Sequence, residues 1–155
     1  EASEWEESQA WQAMSAWESM KKQRILDIDG FSWCCLHGGP NNVTYKKPVI
    51  DYLGHAKLAY HANRMIFQNT VGASANVDVA YGPEDTITPV IMNLGPGKSV
   101  QLTVEIYDMK HNLVQQKVYE NVKLEAGGTV TRLDSFTPDF EEEGHYGMEY
   151  TVSTY

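Results

Sequence analysis

Carboxyl groups are the first side chains in this chain that could do chemistry, because a pair of them can act as acid and nucleophile in hydrolysis. Asp27 and Asp29 are two residues apart, so they share one face of a strand. Reactive groups of parallel α/β proteins stand at the C-terminal ends of strands, whereas this pair stands at the start of one. We interpret it as a polar turn. Glu1 and Glu4 fit a capped, solvated helix start better than a site loop.

Two further groups could act as nucleophiles or bind metal. Cys34 and Cys35 are adjacent, and a bridge between neighbours needs a strained ring, so a disulfide scaffold is excluded. Without a Cys/His/Asn arrangement or a second Cys pair, both are interpreted as buried thiols that pack as small apolar side chains. Glu141–Glu143 with Asp139 could bind calcium, but consecutive Glu residues are usually a solvated loop. We predict no metal and no cofactor.

Composition limits the function classes. The 155 residues carry 12 Lys and Arg against 21 Asp and Glu, a formal net charge of −9, which disfavours nucleic acid as a partner. Hydrophobic residues at 42% and charged residues at 21% are typical of a globular protein. No apolar run approaches the roughly 20 residues that cross a bilayer, and no signal peptide is visible. The compartment stays open among cytoplasm, periplasm and exterior.

The first 70 residues alternate helix and strand. A helix is predicted from Ser3 to Gln23, and a strand from Ile25 to Leu36 that is covered on both faces. A long loop from His37 to Ile50 precedes a second helix, from His55 to Phe67. The apolar stripe of the first helix comprises Ala10, Ala13, Met14, Trp17 and Met20, and Trp11 lies off it. One face of the second helix holds Leu58, Ala59, Ala62, Met65 and Ile66, with Tyr60 and Phe67 on the opposite side.

The remaining residues predict an antiparallel β-sandwich, after a linker at Asn69–Ala75. The predicted strands are Asn76–Tyr81, Thr86–Asn93, Ser99–Asp108, Leu113–Val122, Thr129–Phe136 and His145–Ser153. Asp108–Asn112 is the expected tip of a hairpin. The strand tyrosines, Tyr107, Tyr119, Tyr146, Tyr150 and Tyr155, could form a sugar-binding strip, although strand aromatics more often pack across neighbouring strands.

The N-terminal half looks incomplete, because one parallel strand leaves both of its ladder edges open. Its residues nevertheless form a pattern. The string Asp51-Tyr52-x-Gly54-x-x-Lys57-x-x-Tyr60, together with Gly30-Phe31-Ser32-Trp33, resembles the end of the catalytic barrel in glycoside hydrolases of the family 2 type, the β-galactosidase, β-mannosidase and β-glucuronidase group. In that group an immunoglobulin-like sandwich commonly follows the barrel.

The resemblance implies roles for individual residues. Trp33 would line the sugar pocket by stacking its indole on a sugar ring, the alternative being a core Trp packed between barrel and helices. His37 could bond a sugar hydroxyl, although a lone loop His is often incidental. Asp51 is expected to anchor the loop, and Lys57 and Tyr60 to hold the second helix. The two catalytic glutamates would lie upstream of residue 1.

The sequence thus predicts an α/β part followed by an all-β part: residues 1–70 as the last helix–strand–helix of a (β/α)₈ barrel, and residues 76–155 as an immunoglobulin-like sandwich. The expected partners are a carbohydrate substrate and the rest of the barrel, with no nucleic acid and no membrane. The expected function is hydrolysis of β-glycosidic bonds by the parent protein, this piece being inactive alone. The alternative is a non-catalytic sandwich module that binds carbohydrate or protein and exposes little apolar surface.

Overall fold

A computed structural model describes residues 2–29, 32, 35–38, 48–78 and 80–155. The chain divides into two compact units, Glu1–Gln68 and Asn69–Tyr155, which we call the helical unit and the β unit. Among the described residues, no helix combines the length and apolar character that crossing a bilayer requires.

Two helices pack together in the helical unit. Helix α1 spans Ala2–Ile25 and helix α2 spans Leu58–Ile66, and Ala16 shares a buried cluster with Ala59 and Val49. Small side chains at this contact let the helix axes approach closely. Because the contact is centred on Ala16, the buried face of α1 is rotated from the predicted stripe. Met20 is buried as predicted, whereas the predicted stripe residues Ala10 and Met14 are exposed.

The strand predicted from Ile25 to Leu36 is not found among the described residues of that stretch. Ile25 still belongs to α1, and a turn follows at Leu26 and Asp27, whose φ of 54° lies in the left-handed region. In the described part of this unit, parallel pairing is limited to one bridge between His37 and Ile50. No barrel is therefore shown.

The β unit consists of two antiparallel sheets. One has the strand order β1-β2-β5 and the other β4-β3-β6. The strands are β1 (Thr70–Ser74), β2 (Pro89–Asn93), β3 (Lys98–Asp108), β4 (Leu113–Leu124), β5 (Thr129–Arg132) and β6 (Tyr146–Thr154). Even-numbered residues of β3 from Val100 to Ile106 are buried while the odd ones are more exposed, so one face of this sheet covers the core.

The predicted alternation located five of these six strands but misplaced the first. Strand β1 occupies Thr70–Ser74, within the predicted linker, whereas the described residues of the predicted strand Asn76–Tyr81 belong to no strand. Glycine is needed at position 72 of this strand, because a Cβ built there would lie 2.7 Å from the Leu102 Cδ1 atom of the opposite sheet. Small residues that suggest a linker by composition allow this close approach.

The core of the β unit lies between its sheets. Its buried members are Ile91, Val100, Leu102, Val104, Val122 and Leu124. At the edge of this core the buried Asn93 amide joins two connections, the one from β2 to β3 and the one from β4 to β5: its Nδ2 group donates to the carbonyls of Gly95, Pro96 and Glu125 at 3.2, 3.1 and 2.7 Å. The arrangement is compatible with a β-sandwich.

Candidate functional site

The structure brings His37 next to the segment that begins with Asp51. The Gly38 N–H donates to the Ile50 carbonyl at 2.9 Å, and the Ile50 N–H donates to the Leu36 carbonyl at 3.0 Å. This short parallel contact leaves the His37 side chain exposed. A ligand-binding role for His37 stays a prediction, as does that of Trp33, which lies outside the described residues.

The Asp51 carboxylate closes the turn that leads into α2. One carboxylate oxygen accepts the N–H groups of Leu53 at 2.9 Å and His55 at 2.8 Å, and the other lies 3.1 Å from the His55 Nδ1 atom. Gly54 stands within this turn at φ +92°, a conformation that favours glycine. The bond from the His55 N–H is the main cause that lowers the pKa of Asp51, and the imidazole and the Leu53 N–H add to it, against a smaller effect of desolvation. Asp51 thus anchors the turn before α2, whereas residues 39–47 of the preceding loop lie outside the described residues and an anchoring role there stays a prediction.

Lys57 and Tyr60 connect the same turn to the helical core. The Lys57 N–H donates to the Val49 carbonyl at 2.9 Å, and Lys57 stands at the N-cap position of α2. Tyr60 packs against the cluster of Ala16, Val49 and Ala59. These contacts hold the start of α2 in place, as expected for both residues.

The other acidic residues that the sequence suggested as candidates lie elsewhere in the chain. Asp27 and Asp29 are both exposed at the turn after α1, which agrees with their interpretation as a polar turn. Glu1 and the side chain of Glu4 lie outside the described residues. Among the residues that are described, no group of three or more His, Cys, Asp or Glu side chains could hold a metal ion.

An interaction that sequence reasoning missed ties α1 to the end of α2. The Arg24 guanidinium donates to the carbonyls of Ile66 and Gln68, the second at 2.9 Å. Burial lowers the pKa of Arg24. A cation at helix C-terminal carbonyls also complements the helix dipole. A basic residue in the last turn of α1 was visible in the sequence, but the partner 42 residues away was not.

A second candidate, also missed, is a pocket of about 370 Å³ in the β unit, lined by Asp108, Val114, Gln115, Asp139, Glu141, Glu142 and Tyr146. Three of its polar side chains, those of Asp108, Gln115 and Tyr146, form hydrogen bonds within the chain. Asp108 accepts the side-chain amide of Asn112 and the N–H groups of Asn112 and Lys110, each at 2.8 Å. The bond from the Asn112 side chain is the main cause that lowers the pKa of Asp108, and the two N–H bonds add to it. The Gln115 side-chain oxygen accepts the Asp139 N–H at 3.1 Å. These hydrogen bonds of the lining residues stabilise the loops around the pocket. Glu141–Glu143 are exposed.

The five strand tyrosines do not form one strip. Tyr119 and Tyr150 pack against the core of the β unit, whereas Tyr107 lies on the outer face of β3, stacked on His111 at 4.7 Å. The Tyr119 hydroxyl donates to the Asp134 carbonyl, and desolvation by burial is the main cause that raises its pKa. Tyr146 stacks on Phe140 at 4.3 Å. Cross-strand and loop packing accounts for these rings.

Comparisons with known proteins give little further information. No family model matches the chain, and no curated protein matches it. Among solved structures, the chain is similar to β-glucuronidase 2 of Bacteroides uniformis, covalently bound to cyclophellitol-6-carboxylate aziridine, at 22% identity and a TM-score of 0.34. The match covers 54% of this chain and 11% of that one. A TM-score this low assigns neither fold nor activity.

Proposed function

We propose that this chain is a C-terminal portion of a glycoside hydrolase that cleaves β-glycosidic bonds. Residues 1–70 would close a (β/α)₈ barrel and contribute a wall of the sugar pocket, and residues 76–155 would form a supporting immunoglobulin-like sandwich. The observation that carries the proposal is the amount of apolar surface that the helical unit leaves exposed.

That surface is large for a unit of this size. Trp11 is 68% exposed, Leu36 64% and Leu53 63%, and the exposed apolar set also includes Met14, Leu26, Ile28, Tyr52, Leu58, Met65 and Phe67. The buried apolar side chains described in the same unit are Ala16, Met20, Pro48, Val49, Ala59 and Ile66. Exposed apolar side chains mark an interaction site when they form one contiguous patch, which is what the proposal expects of these. A missing barrel would cover it, whereas a self-contained binding module would leave little of it exposed.

Helix α2 supports the same conclusion at the level of single faces. The single apolar face predicted from the sequence is divided in the structure: Ala59 and Ile66 are buried, while Leu58 and Met65, seven residues apart along its side, are exposed. A helix that is apolar on two sides is normally buried on both. In a barrel, the outer helices pack on the strands and on neighbouring helices. The exposed side of α2 therefore fits the contact with a neighbouring helix of the parent.

The turn before α2 supports the family type. The Asp51 bonds, the left-handed Gly54 and the core contacts of Tyr60 give a physical reason for the spacing of the motif that resembles family 2 enzymes. The strand orders β1-β2-β5 and β4-β3-β6 support an immunoglobulin-like sandwich, since six strands of a variable-type domain have these neighbours.

In the parent enzyme, two carboxyl groups from upstream strands would carry the acid–base and nucleophilic steps through an oxocarbenium-like transition state. Trp33 would stack on the sugar ring and exclude water, and the exposed His37 would bond a hydroxyl. This piece would supply orientation and no reacting group, so it should be inactive alone.

Two experiments test the proposal. The chain alone should not hydrolyse any of a panel of aryl β-glycosides, and turnover that a substitution within these 155 residues abolishes would contradict it. In the parent enzyme, Trp33→Ala should lower kcat/KM about tenfold, because a lost ring contact is worth about 1.4 kcal/mol. His145→Ala, at an exposed histidine of the β unit, is the control and should leave kcat/KM unchanged.

The exposed surface can be tested separately. An apolar fluorescent dye should bind the isolated chain, and Trp11→Ser should reduce the signal. Met109→Ser is the control, because Met109 is 78% exposed at the hairpin tip of the β unit and does not belong to the helical unit. Equal effects of the two substitutions, or no dye binding, would favour the module.

A further inference from the structure

Three of the four sheet edges in the β unit carry features that prevent a further strand from pairing. The edge strands β1 and β5 have only five and four residues. Strand β4 has two register shifts against β3 and a left-handed residue, Asn121, at φ 54°. It also carries Lys117 and Lys123. Short strands, bulges and lysines are the usual means by which edges avoid pairing.

The fourth edge, β6, has none of these features. Its nine residues, Tyr146–Thr154, pair with β3 in unbroken register from Asp108 to Val100. The strand contains no Lys, Arg or Pro. In the described part of the chain, β3 is the strand paired with β6, so alternate N–H and C=O groups of β6 point away from the sheet. A long unprotected edge is a template for strand addition.

Charge indicates what kind of strand this edge would accept. Glu149 of β6 stands directly opposite Glu105 of β3 on the outer face, and like charges in that position are destabilising. Glu105 accepts the Gln116 side-chain amide at 2.8 Å, but neither carboxylate has an ion-pair partner among the described residues. The β unit has five Lys and Arg against thirteen Asp and Glu, a formal charge of −8.

We propose that the free edge of β6 binds an extended segment of a partner polypeptide in which apolar and basic residues alternate. Lys or Arg at outward positions of the incoming strand would lie beside Glu149 and relieve its repulsion with Glu105. Apolar residues at inward positions would cover the exposed parts of Met148, Tyr150 and Val152, which are half-buried. A second copy fits less well, because it would bring another unit of charge −8 to the same edge.

The test uses the full chain and three nine-residue peptides in which Val alternates with Lys, Gln or Glu. Affinity is measured by fluorescence anisotropy, and the bound strand is located by amide chemical shifts. The Lys peptide should bind about two- to fivefold more tightly than the Gln peptide for each pair formed, and the Glu peptide most weakly. Shifts should be largest in β6, and N-methylation of alternate amides of the Lys peptide should abolish binding.

Glu149→Lys should reverse the preference, whereas Glu120→Lys, an exposed carboxylate on β4, should not. The proposal would be overturned if no peptide binds, if all three bind alike, or if Glu149→Lys has no effect. A dimer by light scattering with β6 amides protected from exchange would identify a second copy instead. Protection of the outward β6 amides in the monomer without peptide would mean that the chain itself covers this edge.

Discussion

Gly72 offers the most direct test of the packing between the two sheets of the β unit. A Cβ at this position would lie 2.7 Å from the Leu102 Cδ1 atom, 3.2 Å from the Tyr150 Cβ atom and 3.3 Å from the Val152 Cγ2 atom. Carbon atoms normally approach to about 3.5–4.0 Å. A change of rotamer could move the Leu102 Cδ1 atom, but Leu102 is fully buried. The Tyr150 Cβ atom is fixed to the backbone of β6. Gly72→Ala therefore forces the sheets apart or distorts the core.

The magnitude follows from two opposing effects. Overpacking of a well-packed core costs about 1–3 kcal/mol. Replacing glycine by alanine stabilises by about 0.4–1 kcal/mol through the unfolded chain. The net loss for Gly72→Ala is centred on about 1.5 kcal/mol, which corresponds to roughly tenfold more frequent opening. Gly147→Ala is the matched control, because Gly147 is also a strand glycine but a Cβ there meets nothing within 4 Å. It should stabilise the unit slightly.

Hydrogen–deuterium exchange followed by mass spectrometry is the assay, since it measures the opening free energy of β2 and β3 within the whole chain. Peptides from these strands should exchange faster in Gly72→Ala and no faster in Gly147→Ala. Equal exchange in the two variants would refute the close approach of the sheets at Gly72. An effect confined to β1 would refute the involvement of the shared core.

Three further predictions concern single hydrogen-bonded side chains. The carboxyl of Asp51 should titrate by NMR with a midpoint below that of an ordinary Asp. Its contribution to the stability of the turn is present above the unfolded pKa and is lost as the pH falls through the lowered folded pKa. A normal midpoint would contradict the bonds from Leu53 and His55. Asn93→Asp should lower the free energy of unfolding by more than about 2 kcal/mol near neutral pH, because a carboxylate would face three carbonyl oxygens. Urea denaturation should show that this stability returns as the pH falls and the carboxylate is protonated. Arg24→Met should lower the protection of α2 amides by about 1 kcal/mol, since the carbonyls of Ile66 and Gln68 lose the Arg24 Nη1 group that donates to both. Unchanged protection would mean that these two bonds do not stabilise the end of α2.

Local periodicity was sufficient to predict most of the β unit. Strands β3 and β4 alternate apolar and polar residues over long runs, and the hairpin tip at Asp108–Asn112 has the expected turn residues. Strand β1 could not be predicted in this way, because Gly72 owes its small size to the close approach of the opposite sheet. A requirement that comes from tertiary contact leaves no periodic signal.

The helical unit was predicted less well for a related reason. The spacing of α1 indicates a helix but not which stripe is buried, and the contact between Ala16 and Ala59 decides that. The role of Asp51 was predictable, because its bonds reach only residues within four positions. The pocket in the β unit was not, since it joins side chains from β3, β4 and the segment before β6.

The Asp108 turn has a consequence for the order in which the β unit folds. Its bonds to Lys110 and Asn112 close a hairpin between β3 and β4 through a loop of only a few residues, and hairpins form in about 1–10 μs. Pairs such as Ile91 with Thr131 and Leu102 with Val152 instead require loops of about 40 and 50 residues to close, which is slower. We therefore expect Asp108→Ala to lower the refolding rate of the β unit and not only to raise its unfolding rate. This one carboxylate would then control how fast the β unit folds.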